Sequence, residues 1–159
     1  MQKYRILFIC MANICRSPMA EYLLRNLCER RSPGNPVSIE VRSAGIMNTT
    51  GTEASDQALM VMHERGIDMS RHKARRVSSE LIDWADLILC MEQAHLEAMQ
   101  REFPLAREKI HLLTEYCGSS GDIIDPSGRN YRFFNECADQ IENLLGRLLD
   151  KLVATASRP

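Results

Sequence analysis

Cys10 and Arg16 stand either side of five residues, Met11-Ala12-Asn13-Ile14-Cys15, with Ser17-Pro18 directly after. A cysteine attacks as its thiolate, the form that a positive field favours. A guanidinium offers a planar fork to two oxygens of a tetrahedral oxyanion. Five intervening residues can curl the backbone so that successive N–H groups converge on one centre. Such a cup fits a phosphate dianion, with Cys10 at its floor as nucleophile and Met11, Ala12, Asn13, Ile14 and Cys15 forming its wall. Cys-x5-Arg alone is a weak signal in a chain with six cysteines and 20 Lys+Arg. The plain alternative is a turn around a buried, inert Cys10, yet a packing turn has little use for an Arg at that junction.

Elements on both sides must position the loop. Tyr4 to Ile9 is an apolar run broken only by Arg5, as suits a central parallel strand buried on both faces. After Arg16, Ala20, Leu23, Leu24, Leu27 and Cys28 fall on one face of a helix. Its unpaired N–H groups and positive dipole end would face the cup. Ser17 reads as the cap, Pro18 suits the first turn, and Glu21 places a negative charge near the positive end. Arg30 and Arg31 lie in the last turn, and Ser32-Pro33-Gly34-Asn35-Pro36 stops the helix.

Farther along, Val37, Ile39 and Val41 alternate with polar residues, a strand near a sheet edge that ends at Ser43-Ala44-Gly45. Residues 46–52 read as a loop, and a helix follows from about Glu53 to Arg65, stopped by Gly66. Arg71, Lys73, Arg75 and Arg76, with His72, form a basic run that reads as a solvated face. A short helical turn is predicted at Ser79–Trp84, a strand at Asp86–Met91, a helix from Glu92 to about Phe103 and a strand at Lys109–Leu113. Thr114 to Asn130 reads as a long loop, a kind that tends to be functional. A last helix runs from about Tyr131 to Val153, and residues 154–159 read as a frayed tail. Four strands alternating with helices imply an α/β fold. The expectation is a single domain over 1–153 with a four-stranded parallel sheet and helices on both faces. Ligands of such sheets sit at the carboxyl ends of the strands, where Cys10, Ser43, Met91 and Asp125 would all fall.

The formal charge of −1 gives no reason to expect nucleic acid or an anionic membrane as partner. No apolar stretch reaches the roughly 18–20 residues that span a membrane. Without a signal-like N-terminus, and with cysteines that lack C-x2-C spacing, the chain is expected in the reducing cytoplasm.

The segment from Cys10 to Pro18 resembles the signature loop of low-molecular-weight protein tyrosine phosphatases. Further stretches agree in family order: Arg42-Ser43-Ala44-Gly45, Met69-Ser70 with His72-Lys73-Ala74-Arg75, Asp86 to Met91, and Asp122-Ile123-Ile124-Asp125-Pro126. Asp-Pro by itself is a common turn dipeptide. The resemblance implies that Asp125 is the general acid, protonating the leaving group and then deprotonating water to hydrolyse a phosphocysteine. Cys10 would be the nucleophile and Arg16 the clamp. Asn13 suits a left-handed conformation, and Ser17 would donate to the Cys10 thiolate. Ser43 and His72 would belong to a supporting network around Asn13. The family's second loop cysteine, here Cys15, can form a protective disulfide with the nucleophile. No metal or other cofactor is implied, because Arg16 and backbone donors meet the phosphate's charge. The implied partner is a phosphorylated protein, and oligomeric state is not legible.

Some positions depart from the family pattern. Ala12 stands where Gly is common; positive φ there would cost about 1–2 kcal/mol, so a conformation that Ala accepts is expected. Tyrosine-specific members usually carry an aromatic after Asp-Pro and a Trp in the loop after the second strand. Here Ser127-Gly128 follows Asp125-Pro126, and residues 46–52 hold no aromatic. That pattern resembles the bacterial protein-arginine phosphatase branch, which carries Thr where this chain has the tyrosine-type Ile14. Following Ile14, the sequence reading takes phosphotyrosine as the substrate, with phosphoarginine as the alternative. Arsenate reduction is a minor alternative, since Cys90, Cys117 and Cys137 make a poor resolving relay. A binding module without turnover is another, at odds with an intact Cys10, Arg16 and Asp125.

Overall fold

A computed structural model describes residues 2–31 and 34–156. Strand β1 (Gln2–Cys10) leads into helix α1 (Arg16–Arg31), and β2 (Val37–Gly45) into α2 (Asp56–Glu64). Helix α3 (Ser79–Trp84) precedes β3 (Leu87–Cys90), α4 (Gln93–Glu102), a 3-10 turn at Pro104–Lys109 and β4 (Ile110–Leu112). A short α5 (Leu113–Tyr116) and the long α6 (Tyr131–Ala156) complete the chain. All strand pairs are parallel, in the order β2-β1-β3-β4, as expected from the alternation of strands and helices.

The period-two geometry of β1 splits the core into two layers. Ile6, Phe8 and Cys10 face a cluster that includes Leu24 of α1, Met62 of α2 and Ile141 and Leu145 of α6. Leu7 and Ile9 face the other layer, with Leu81 and Ile82 of α3 and Leu96 and Met99 of α4. The chain leaves β1 toward β2 on one side and returns to β3 on the other. The carboxyl ends of β1 and β3 therefore flank the point where strand order reverses, the crevice in which such sheets bind ligands. Cys10 and Met91 sit on its two sides.

Several boundaries differ from the sequence reading. Cys15 C=O accepts the first helical bond from Met19 N–H at 3.1 Å, so Ser17 lies inside the first turn of α1 rather than capping it. Its hydroxyl is used elsewhere. Helix α2 begins later than predicted, because Ser55 caps it by accepting from Ala58 N–H at 3.3 Å. Gly66, at φ +75°, ends it as expected. Strand β4 is shorter than predicted: Leu113 turns into α5 and is buried in the layer opposite from Leu112. Thr114 to Tyr116 are therefore helical, not loop. Residues 154–156 extend α6 instead of fraying. Ser32, Pro33 and residues 157–159, read as helix stop and tail, lie outside the described residues.

Candidate active site

The backbone carbonyls of the loop after β1 are turned outward, each to its own partner. Cys10 C=O accepts from Ile46 N–H at 3.1 Å, Met11 from Met47 N–H at 2.8 Å, Ile14 from Ser55 N–H at 3.0 Å and Cys15 from Met19 N–H. Ala12 C=O accepts from Thr49 Oγ1 at 2.5 Å and Asn13 C=O from His72 Nε2 at 2.8 Å. Peptide planes held this way point their N–H groups to the inside. Among the described residues no protein acceptor takes the N–H of Met11, Ala12, Ile14 or Cys15. Together with the first amides of α1 they form a concave set of donors suited to an oxyanion.

Three features fix the cup's shape. Asn13 has φ +58°, the only positive φ at a non-glycine among the described residues, so Ala12 sits in a conformation that alanine accepts. Gly45, at the end of β2, lies directly beneath the loop. A Cβ there would meet Ala12 C and Met11 O at 2.9 Å and Asn13 N at 3.0 Å. The third is a directional hydrogen-bond chain. Asn13 Nδ2 donates to Ser17 Oγ at 2.8 Å and to Ser43 Oγ at 2.9 Å, while its Oδ1 accepts from Arg75 N–H at 3.1 Å. Ser43 in turn donates to Glu21 Oε1 at 2.6 Å, and Glu21 pairs with Arg25. Asn13, Ser17, Ser43, Glu21 and His72 are all buried. Glu21, read from sequence as a dipole charge, thus anchors this chain.

The chain ends at the sulfur. Cys10 Sγ lies 2.9 Å from Ser17 Oγ and 3.3 Å from Asn13 N–H. Ser17 already accepts from Asn13, so its own proton is free to point at Cys10. His72 faces a carbonyl that only accepts, so it carries its proton on Nε2. Burial pushes its pKa below the ordinary imidazole value against the raising effect of the Asn13 carbonyl, which keeps it neutral. Cys15 Sγ bonds to Ser55 Oγ at 3.3 Å and Ser127 Oγ at 3.5 Å, and burial pushes its thiol pKa up. Cys10 and Cys15 are both free thiols in this structure.

Arg16 is only 2% exposed, which no charged side chain tolerates unpaired. Its Nη1 donates to Glu92 Oε2 at 2.6 Å and to Ile123 C=O at 2.7 Å. Nη2 lies 3.7 Å from Asp125 Oδ2, and no acceptor takes Nε among the described residues. The protein thus fastens one corner of the guanidinium and leaves the Nε–Nη2 edge for a bidentate oxyanion. Glu92 was not singled out from sequence. Its place directly after β3, at the ligand edge of the sheet, was the available signal.

Asp125 rides on the loop between α5 and α6, which is tied down at several points. Ile123 N–H donates to Met91 C=O at 2.9 Å, Thr114 Oγ1 to Gly121 C=O at 2.6 Å, and Gln93 N–H to Asp122 Oδ1 at 2.8 Å. Ser127 N–H donates to Asp125 Oδ1 at 3.0 Å, which leaves Oδ2 on the side of Arg16. Burial pushes the carboxyl pKa up. Hydrogen bonds from Ser127 and the Arg16 charge outweigh it, and the net value lies below the ordinary one. A thiol on the floor, an anchored guanidinium edge and a half-exposed carboxyl beside it are the parts that in-line phosphoryl transfer to sulfur needs.

Near the mouth, Phe133 lines a pocket with Asp125 and Pro126, and Phe134 one with Ile14 and Cys15. Tyr131 hydrogen-bonds Glu64 through its hydroxyl, and the Phe133 ring lies under the Arg129 guanidinium at 4.8 Å. On the other rim Met11 and Met47 are exposed. Ile14 lines a shallow pocket with Cys15, Ser55, Asp56, Gln57, Ser127, Gly128 and Phe134.

Residues 5–158 match the family profile described as low molecular weight phosphotyrosine protein phosphatase. A protein-arginine-phosphatase of Geobacillus stearothermophilus is 41% identical, over 94% of this chain and 96% of its own length. The low molecular weight protein-tyrosine-phosphatase Ptp of Acinetobacter johnsonii is 39% identical over 86% and 89%. A crystal structure of a YwlE mutant from Bacillus subtilis superposes with a TM-score of 0.88 at 33% identity, covering 94% of this chain and 98% of that one. The match runs through β1, the cup, the Asp125 loop and α6 alike, and the chain belongs to the low-molecular-weight phosphotyrosine protein phosphatase family.

Proposed function

We propose that this chain removes phosphate from phosphorylated proteins of the cytoplasm through a phosphocysteine, and that phosphoarginine is its substrate. Cys10 Sγ attacks phosphorus in line, opposite the leaving group. The S–P bond forms as the P–N bond breaks, and Asp125 gives its proton to the departing guanidine, which leaves as guanidinium. The N–H groups of Met11, Ala12, Ile14 and Cys15 and the free edge of Arg16 hold the three equatorial oxygens. In the second step Asp125 takes a proton from water as the water oxygen attacks phosphorus. Cys10 then leaves as thiolate, met by the Ser17 hydroxyl and the Asn13 N–H. Ser43, Glu21 and His72 act by holding Asn13 in its left-handed conformation.

The mouth carries the choice of substrate. A phosphotyrosine ring gains about 0.5–1.5 kcal/mol from an aromatic partner, and here the Tyr131 hydroxyl is taken by Glu64 and one face of Phe133 by the Arg129 guanidinium. A planar cation needs no ring, and near the entrance it meets Asp56, which lines the pocket beside Ile14 and Cys15. The 41% identity to a protein-arginine-phosphatase supports the same reading. It moves the preference away from the phosphotyrosine expected from Ile14. Ile14 still favours phosphotyrosine as the second reading, because its apolar side chain borders the pocket beside Cys15.

A comparison of kcat/KM on two peptides that differ only in carrying phosphoarginine or phosphotyrosine tests this. A clear preference for phosphoarginine is expected. A preference for phosphotyrosine replaces it with the second reading.

A further inference from the structure

His95, in the first turn of α4, is 1% exposed and lies outside the machinery described so far. Its Nε2 lies 3.3 Å from Glu92 Oε2, the same oxygen that accepts from Arg16 Nη1 at 2.6 Å. Its Nδ1 is buried and has no hydrogen-bond partner. One carboxylate oxygen is thus shared between a buried guanidinium and a buried imidazole. Glu92 N-caps α4 without a side-chain cap bond, so its carboxylate is turned to these two partners instead.

We propose that His95 is a positioning residue: its Nε2 edge, 3.3 Å from Glu92 Oε2, holds the carboxylate that aims the free edge of Arg16 at the bound oxyanion. The orphan Nδ1 carries the argument. In the neutral Nε2–H tautomer Nδ1 is an acceptor left unmatched. In the imidazolium it would be a buried N–H with no acceptor, a costlier state. Burial and the nearby Arg16 charge disfavour the imidazolium, and they outweigh Glu92, Asp122 and Asp125, which favour it. A neutral donor leaves the full negative charge of Glu92 to Arg16, whereas an imidazolium would compete for it. Without any donor, a flexible carboxylate has only Arg16 to orient it, and the guanidinium loses its fixed reference.

The inference rests on the cup being an oxyanion site, but not on turnover or on the leaving group. It is therefore tested with inorganic phosphate, by calorimetry and as a competitive inhibitor of p-nitrophenyl phosphate hydrolysis. His95→Phe and His95→Leu remove the donor, whereas His95→Gln places an amide N–H near the Nε2 position and cannot titrate. Donor loss is expected to weaken phosphate binding by about tenfold or more, the worth of a hydrogen bond to a charged group. His95→Gln is expected to bind phosphate as the parent protein does. In the Glu92→Gln background, His95→Phe should add little further loss, since the two act on Arg16 in series. Equal loss in the Gln and Phe variants, or unchanged phosphate affinity in whichever donor-free variant folds, would overturn the proposal, and so would full additivity with Glu92→Gln. If neither donor-free variant folds, weakened phosphate binding by a folded His95→Gln overturns it and parent-like binding sustains it. Phosphate binding that follows this pattern together with a phosphotyrosine preference would sink only the substrate reading.

Discussion

At the scale of single residues, Asp125 poses a question of protonation. In the free protein burial raises its pKa, but the Ser127 hydrogen bonds and the Arg16 charge outweigh burial, so the net value lies below that of an ordinary carboxyl. The first chemical step needs the proton, so kcat/KM falls as pH rises through that pKa. Ser127→Ala removes one lowering contact, and this limb of the profile should move to higher pH. A limb that stays in place means that another group supplies the proton. Asp125→Asn should lower kcat by about 10²–10⁴-fold, the usual worth of general acid–base transfer, with a much smaller change in KM. Ile14→Thr trades an apolar branch beside Cys15 for a hydroxyl. The ratio of phosphoarginine to phosphotyrosine turnover should therefore rise, as measured on matched peptides. Cys10 and Arg16 were legible in the sequence because their types and spacing suit an oxyanion cup, whereas Asp125, in a common turn dipeptide, was legible only through the family resemblance. Glu92 and His95 were not, for they acquire a role only when the starts of α1 and α4, on opposite faces of the sheet, meet at its carboxyl edge through Arg16 and Glu92.

At the scale of elements, the cup is a loop whose outer surface is fully bonded. Apart from that of Cys15, which opens α1, its carbonyls reach residues 46–55 and His72, which come from two segments distant in sequence. Gly45 lets the end of β2 pass within van der Waals contact of the loop. Gly45→Ala forces a Cβ to within 2.9 Å of backbone atoms. Overpacking of this kind typically costs about 1–3 kcal/mol, and here it falls on the cup itself. The expected outcome is a folded protein with a modestly lower Tm and a large loss of phosphate affinity. Parent-like phosphate binding would show that the loop tolerates displacement. Sequence reasoning placed Gly45 only as the end of a strand, because its need arises from close approach rather than from a turn. The Ser17-Pro18 pattern by itself read as a cap, and the role of Ser17 as donor to the Cys10 thiolate came only through the family resemblance. What distinguishes them is the carbonyl of Cys15, which only the folded loop reveals.

At the scale of the whole molecule, the parallel sheet was readable from its alternating apolar runs, and with it the edge on which the site forms. The register that brings Cys10 beside Gly45 was not readable, because pairing depends on contacts between segments. Neither was α5, whose onset depends on Leu113 being buried in the layer across from Leu112. The two buried histidines also leave a global signature. Burial is the leading cause that lowers the pKa of both His72 and His95, so the unfolded chain binds protons that the native state refuses. Stability is therefore full above the unfolded value, about 6.5, and is lost as pH falls through the lower native values. Urea unfolding from pH 8 to pH 4.5 should show this decline, and His72→Gln, which keeps a donor toward Asn13, should flatten it. The central claim is that the converging strand ends make one centre of phosphoryl transfer with Cys10 as the acceptor. Acid quenching during turnover of p-nitrophenyl phosphate, followed by mass spectrometry of the peptides, tests it directly. One phosphoryl group is expected on the peptide that contains Cys10 and none in Cys10→Ala, which does not turn over. Sustained turnover by Cys10→Ala, or a phosphoryl group carried by a different residue, would contradict it.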